Sequence, residues 1–193
     1  MCITIPIHQL TDEQVVKLVL KDADLFLELM QRYEGRLLAY INRIINVSNG
    51  EAEDILQEVF IKTYQNLNGF DLNLKFSTWV YRITYNQVIS FFRKNKKHTT
   101  NLTDKDSEAL ILNIADELNL KQAVAQKIDA KLIREAISDL DSKYRDVLVL
   151  KFLEDKDYNE ISDIIKKPVA TVGTLINRAK NKIKEALKQY DLT

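Results

Sequence analysis

Asp157-Tyr-Asn-Glu-Ile-Ser-Asp-Ile-Ile-Lys-Lys-Pro-Val-Ala-Thr-Val-Gly-Thr-Leu-Ile-Asn-Arg-Ala-Lys180 holds two amphipathic periods separated by Lys166-Lys-Pro168. The first opens on a capping-box pattern, Asp157 with Glu160, in which each side chain can accept the other's backbone N–H. Ile161, Ile164 and Ile165 follow at helical spacing. Pro168 suits the start of the next helix, where a missing N–H goes unneeded. That helix is predicted from Val169 to about Tyr190. Val172, Leu175, Ile176 and Ala179 take its inward face, which leaves Thr171, Gly173, Thr174, Asn177, Arg178, Lys180 and Lys182 largely outward. From Lys166 to Lys188 the chain carries seven basic residues against Glu185 alone. Two short helices across a tight turn, the second one basic, make a helix-turn-helix pattern whose second helix would enter a DNA major groove. Arg and Asn can read guanine and adenine edges there, while Lys and Thr suit phosphates. A solvated basic helix in an ordinary bundle fits the same pattern, and this segment alone does not choose.

Upstream, Leu140 closes an apolar stripe of Ile128, Leu132, Ile133, Ala136 and Ile137. Asp141 or Ser142 can cap a helix with Tyr144, Val147, Leu148, Leu150 and Phe152. The stretch His98–Ala109 is polar and without period, so it reads as a linker, and Leu110–Leu118 carries scattered apolar residues. Before it lies a second helical unit. Thr11-Asp-Glu-Gln14 is a capping box leading to Val15, Leu18 and Val19. A long helix is predicted from about Ala23 to Val47 and is broken by Ser48-Asn-Gly50. Another follows from about Glu51 to Asn68, ended by Gly69 in the left-handed conformation. Asp71–Lys75 is a loop, and Phe76–Asn95 returns to helix with Ser77 as its cap. The expectation is an all-α chain of two small helical domains, 1–97 and 128–193, joined by a flexible linker over 98–127.

Composition agrees and narrows the function classes. The 193 residues include only four Gly and two Pro, which disfavours a loop-rich β protein. Cys2 is the sole cysteine, so no internal disulfide can form. No basic-then-apolar leader opens the chain and no apolar run nears the ~20 residues that span a bilayer, so the expected location is the cytoplasm, with no membrane insertion. Net charge is zero, 28 basic against 28 acidic residues, yet the charge is patched. Glu51, Glu53, Asp54 and Glu58 cluster on one predicted helix, and Arg93–Lys97 holds four bases and no acid. Asp54, Gln57 and Glu58 stand at one-turn spacing beside apolar Ile61, a patch that could dock a basic partner helix or simply face water. Aromatics concentrate before the Arg93 run. Trp79, Ile83 and Val88 are assigned to the core, and Tyr81, Arg82, Tyr85 and Asn86 to contact with unpaired bases. His8 and His98 have no metal-ligand spacing, and no phosphate loop or nucleophile–base pair is present, so no metal, cofactor or catalytic residue is assigned.

Four segments, in order, resemble the extracytoplasmic-function (ECF) group of bacterial sigma factors. Glu51-Ala-Glu-Asp-Ile-Leu-Gln-Glu-Val-Phe-Ile-Lys-Thr-Tyr64 resembles the region 2 helix that binds the polymerase clamp. Phe76-Ser-Thr-Trp-Val-Tyr-Arg-Ile83 resembles the segment associated with melting at the −10 element. Tyr144-Arg-Asp-Val-Leu-Val-Leu-Lys-Phe152 and Tyr158-Asn-Glu-Ile-Ser162 resemble region 4, which reads the −35 element. The resemblance implies a non-enzymatic transcription initiation factor whose partners are core RNA polymerase and promoter DNA. A dedicated anti-sigma factor often covers these faces in the family, which makes one a candidate partner. By the same resemblance Asp54, Gln57, Glu58 and Ile61 would meet the clamp. The turn Asp71, Leu72, Asn73, Leu74, Lys75 would capture a flipped −10 base, with Tyr81, Arg82, Tyr85, Asn86 and Arg93 nearby. Thr171, Gly173, Thr174, Asn177, Arg178, Lys180 and Lys182 would face the −35 element. Gly173 and Leu175 depart from the basic or polar residues common there, and a helix-interior Gly costs about 1 kcal/mol against Ala.

Overall fold

The structure, a computed structural model, describes residues 6–45, 47–95 and 140–190, and between the last two ranges also 106, 109, 110 and 113. No strand occurs among them. The chain divides into two compact units, Met1–Ile41 with Ser48–Lys96, and Asn42–Val47 with Lys97–Thr193.

The first unit is a helical bundle. Helix α1 (Asp12–Val19) starts on the capping box of Thr11 and Gln14, and buries Val15, Val16 and Val19. A 3-10 turn, Ala23–Leu25, leads into α2 (Phe26–Ile44). Its core face in this unit is Phe26, Leu29, Tyr33, Leu37, Tyr40 and Ile41, each three or four residues from another, as burial of one helical stripe demands. Ser48 does more than break the chain. It forms a capping box with Glu51 and starts α3 (Asn49–Asn66), so Asn49 and Gly50 are helical. Gly69 does not adopt the left-handed conformation, because the chain ends α3 by tightening. A 3-10 turn over Leu67–Gly69 follows, closed by the Phe70 N–H on the Leu67 carbonyl at 3.1 Å. Helix α4 spans Phe76–Asn95. Ser77 lies inside it, and the Phe76 N–H is instead accepted by the Glu13 carboxylate of α1 at 2.9 Å.

The second unit holds the helix-turn-helix. Helix α5 (Ser142–Phe152) is buried on all sides from Tyr144 to Leu150. Asp141 stands at its N-cap position without a side-chain cap bond. Helix α6 (Tyr158–Ile165) has the capping box of Asp157 and Glu160, with bonds of 2.9 and 2.8 Å. Lys166 ends it in the left-handed region, φ 55°, ψ 49°. The Lys167 N–H then reaches back to the Ser162 carbonyl at 3.2 Å, a Schellman-type closure. Pro168 sits just before α7 (Val169–Tyr190), and its carbonyl accepts the Val172 N–H at 3.1 Å.

The expected linker, 98–127, carries structure at its described positions. Asp106, Ala109, Leu110 and Asn113 have helical backbone. Leu110 is fully buried, and Asn113 donates to the Phe152 carbonyl at 2.9 Å. Arg43, grouped with this unit, bonds Asp106 at 2.8 Å and Glu154 at 2.6 Å. The expected stripe over 128–137 lies outside the described residues, as do Cys2 and His98.

Candidate functional site

Three surfaces carry the residues singled out above. On α3, Asp54, Gln57, Glu58 and Ile61 are all exposed, Ile61 at 49%. Ala52, Ile55, Leu56, Val59 and Phe60 are buried on the other side, which turns the acidic residues outward together. Beside them runs a groove of about 420 Å³ between α2 and α3. Phe26, Met30, Phe60, Ile61 and Tyr64 make its apolar lining, and Gln57 and Gln65 lie at its margin. The Phe26 and Tyr64 rings meet edge-on at 5.2 Å, and Tyr64 remains 47% exposed. Sequence reading missed the α2 side of this groove. Phe26 and Met30 share the apolar stripe of α2 with core residues, and only packing reveals which stripe members reach the surface.

The second surface is the 71–75 turn and the open face of α4. Asp71, Asn73, Leu74 and Lys75 are exposed, Leu72 half-buried. The Asp71 carboxylate accepts both the backbone N–H and the side-chain amide of Asn73 at 2.9 Å, an Asx-type turn. Buried Phe70 and Phe76 flank the turn, with rings edge-on at 5.7 Å. Arg82, Tyr85, Asn86 and Arg93 line one side of α4, Asn86 and Arg93 exposed and the other two half-buried. Tyr81 does not join them. It is completely buried, with its ring 5.0 Å from that of Tyr40, because its place in the helical period is the core-facing one next to Val80 and Thr84. Trp79 and Ile83 correct the reading the other way: both are half-exposed, and only Val88 is buried. Trp79 stacks at a tilt on Phe70, 5.1 Å between centroids, and borders the turn. It is a base-contact candidate that the aromatic clustering alone could have flagged.

On α7, Thr171, Thr174, Asn177, Arg178 and Lys182 are exposed, each three or four residues from another. The Thr174 hydroxyl donates to the Ala170 carbonyl at 2.9 Å, so its lone pairs are what it offers a ligand. Gly173 and Lys180 depart from the outward placement. Gly173 is half-buried toward α6, where an added Cβ would lie 3.8 Å from the Tyr158 ring. Lys180 is 6% exposed, because it follows Val172 and Ile176 round to the packed side. Among the described residues no group of His, Cys, Asp and Glu could hold a metal ion, and no helix is long and apolar enough to cross a membrane.

Comparison with known proteins places these surfaces in a family. Residues 29–98 match the family model for sigma-70 region 2, and residues 130–183 that for sigma-70 region 4. The ECF RNA polymerase sigma factor SigW of Bacillus subtilis is 35% identical over 171 residues, covering 86% of this chain and 91% of that protein. The RNA polymerase sigma-H factor of Pseudomonas aeruginosa is 30% identical over 182 residues, covering 92% and 94%. In fold, the chain is similar to the sigma factor RpoE of Bartonella quintana, solved in complex with the anti-sigma factor NepR, at a TM-score of 0.61. That likeness has 18% identity and covers 84% of this chain and 96% of that one. With two sigma-70 regions in order and relatives matched over nearly their whole length, this chain belongs to the ECF group of RNA polymerase sigma factors.

Proposed function

We propose that the chain binds core RNA polymerase through the exposed face of α3 and carries it to promoters with a −10 and a −35 element. In this reading Asp54, Gln57 and Glu58 meet basic residues of the clamp, and Ile61 with the adjoining groove supplies apolar contact. The turn 71–75 captures an unpaired −10 base, and Arg82, Tyr85, Asn86, Arg93 and Trp79 hold the separated strand. Stacking on aromatics and neutralised phosphates would favour the melted state. Thr171, Thr174, Asn177, Arg178 and Lys182 track the −35 duplex. No covalent chemistry is involved: the protein lowers the free energy of one polymerase–promoter arrangement, in the cytoplasm where polymerase works. The anti-sigma complex of the Bartonella quintana protein makes an anti-sigma factor a further partner to seek.

One observation carries the reading: four residues picked by resemblance to the clamp-binding helix stand together on one open face beside an apolar groove. Affinity capture of core polymerase tests it. The wild-type chain should retain core. Glu58→Lys should retain at least tenfold less while its melting midpoint stays put, because exposed surface changes cost within about 0.5 kcal/mol. A wild-type chain that captures no core, or a Glu58→Lys variant that captures it fully, contradicts the proposal.

A further inference from the structure

The 71–75 turn leaves its exit to be held from outside. Helix α4 begins at Phe76, and Lys75 occupies its N-cap position, the Lys75 carbonyl accepting the Trp79 N–H at 3.2 Å. A lysine side chain has no acceptor, so it cannot cap the first turn as Ser or Asp would. The Glu13 carboxylate does so instead, from a helix 63 residues upstream, accepting the Phe76 N–H at 2.9 Å. Its negative charge also suits the positive end of the helix dipole.

The chain just before Glu13 is tied down. Arg32 of α2 donates Nε to Glu28 at 2.8 Å and Nη1 to the Leu10 carbonyl and Asp12 at 2.8 and 2.9 Å. Its Nη2 donates to the Ile7 carbonyl at 2.7 Å. The Tyr33 hydroxyl donates to Asp12, and the Tyr33 ring lies edge-on to Phe76 at 5.4 Å. A continuous set of bonds thus runs from α2 through the start of α1 to the point where the turn enters α4. Within the turn, the Leu74 N–H on the Asp71 carbonyl, at 3.0 Å, completes the closure.

We propose that Glu13 is a positioning residue for promoter reading. By fixing the exit of the turn it presents Asn73, Leu74 and Lys75 to an unpaired base in a geometry set before DNA arrives, which removes an ordering cost from binding. Glu13 touches no DNA in this scheme. The inference rests on the reading of the turn as the −10 base pocket.

The test uses holoenzyme assembled from the full chain and core polymerase. Its probe is forked DNA bearing a −10 sequence recovered by transcription from a promoter library, with the unpaired non-template bases intact or removed one at a time. Wild type should bind more weakly when the captured base is missing. Glu13→Ala should bind the intact fork about fivefold more weakly, the equilibrium weight of one lost helix cap, and should lose nothing further on the fork lacking that base. Glu13→Asp keeps the charge but falls short by a methylene, and should show the same base-dependent loss. Glu13→Gln keeps an acceptor oxygen and should stay within about twofold of wild type. Core affinity should be the same for all. If Glu13→Ala and Glu13→Asp bind every fork as wild type does, or weaken intact and base-lacking forks equally, the positioning role is overturned while the −10 reading stands. If wild type is indifferent to removal of every unpaired base, the −10 reading of the turn falls and takes the inference with it.

Discussion

Tyr33 places a phenol in the core of the first unit, its hydroxyl donating to Asp12. Burial, and then the Asp12 bond, raise its pKa well above the ordinary value of 10. Below pH 10 the phenol is protonated in folded and unfolded chain alike, and its contribution to stability is complete. Above pH 10 the unfolded chain releases the proton first. Stability then falls by up to about 1.4 kcal/mol per pH unit until the folded pKa is passed. Urea midpoints at pH 8 and pH 11 should therefore drop more for wild type than for Tyr33→Phe; parallel drops would contradict this. None of this was visible in the sequence, where Tyr33 is one apolar position on a stripe. The same holds for Arg32, whose four partners lie up to 25 residues away. Tyr81 and Trp79 show the limit from the other side. Aromatics gathered ahead of a basic run share one sequence signature, but a step of two positions along the helix separates a ring against Tyr40 from a ring at the rim.

At the scale of elements, capping chemistry was legible and the recognition helix only in part. Thr11 with Gln14, and Asp157 with Glu160, are local patterns and both form. The bounds of α4 were legible, Phe76–Asn95, but its cap was not: Ser77 is the local choice, and the cap comes from Glu13, remote in sequence. In α7 the apolar period located the buried side, yet Gly173 sits at its edge facing Tyr158 and not in the outward row. The space there is ordinary van der Waals distance, and no glycine of the described chain has positive φ. Gly173→Ala should thus stabilise the protein by about 1 kcal/mol, read as a raised urea midpoint at unchanged slope. A lowered midpoint would mean that the contact between α6 and α7 is tighter than 3.8 Å implies. Arg178, by contrast, is exposed among Thr174, Asn177 and Lys182. If it meets a phosphate, Arg178→Ala should reduce the slope of log affinity against log salt by about one for holoenzyme on duplex DNA. If it reads a base edge, the slope should hold and discrimination at one base pair should relax by about 1–3 kcal/mol. A variant unchanged in both respects would remove Arg178 from the DNA surface.

For the molecule as a whole, a net charge of zero hides two surfaces of opposite need. Helix α3 exposes acidic residues, which the proposed reading gives to the polymerase clamp, and α4 and α7 expose bases, which it gives to DNA. The order of the segments made the family legible from sequence, since region 2 and region 4 patterns survive at 35% identity. Leu110 stands at the head of the stretch whose scattered apolar residues suggest docking, and it is buried; the helical backbone at Asp106 and Ala109 did not follow from a polar stretch without period. In the proposed reading two DNA contacts on one chain gain from effective concentration, so each could be weak and the pair still selective. Neither contact directs transcription unless polymerase holds the chain. Run-off transcription from a promoter library with core polymerase therefore tests the account most directly. Adding the chain should produce transcripts whose templates share a two-part upstream motif at fixed spacing, and Glu58→Lys should abolish them. Transcripts no different from those of core alone would contradict it.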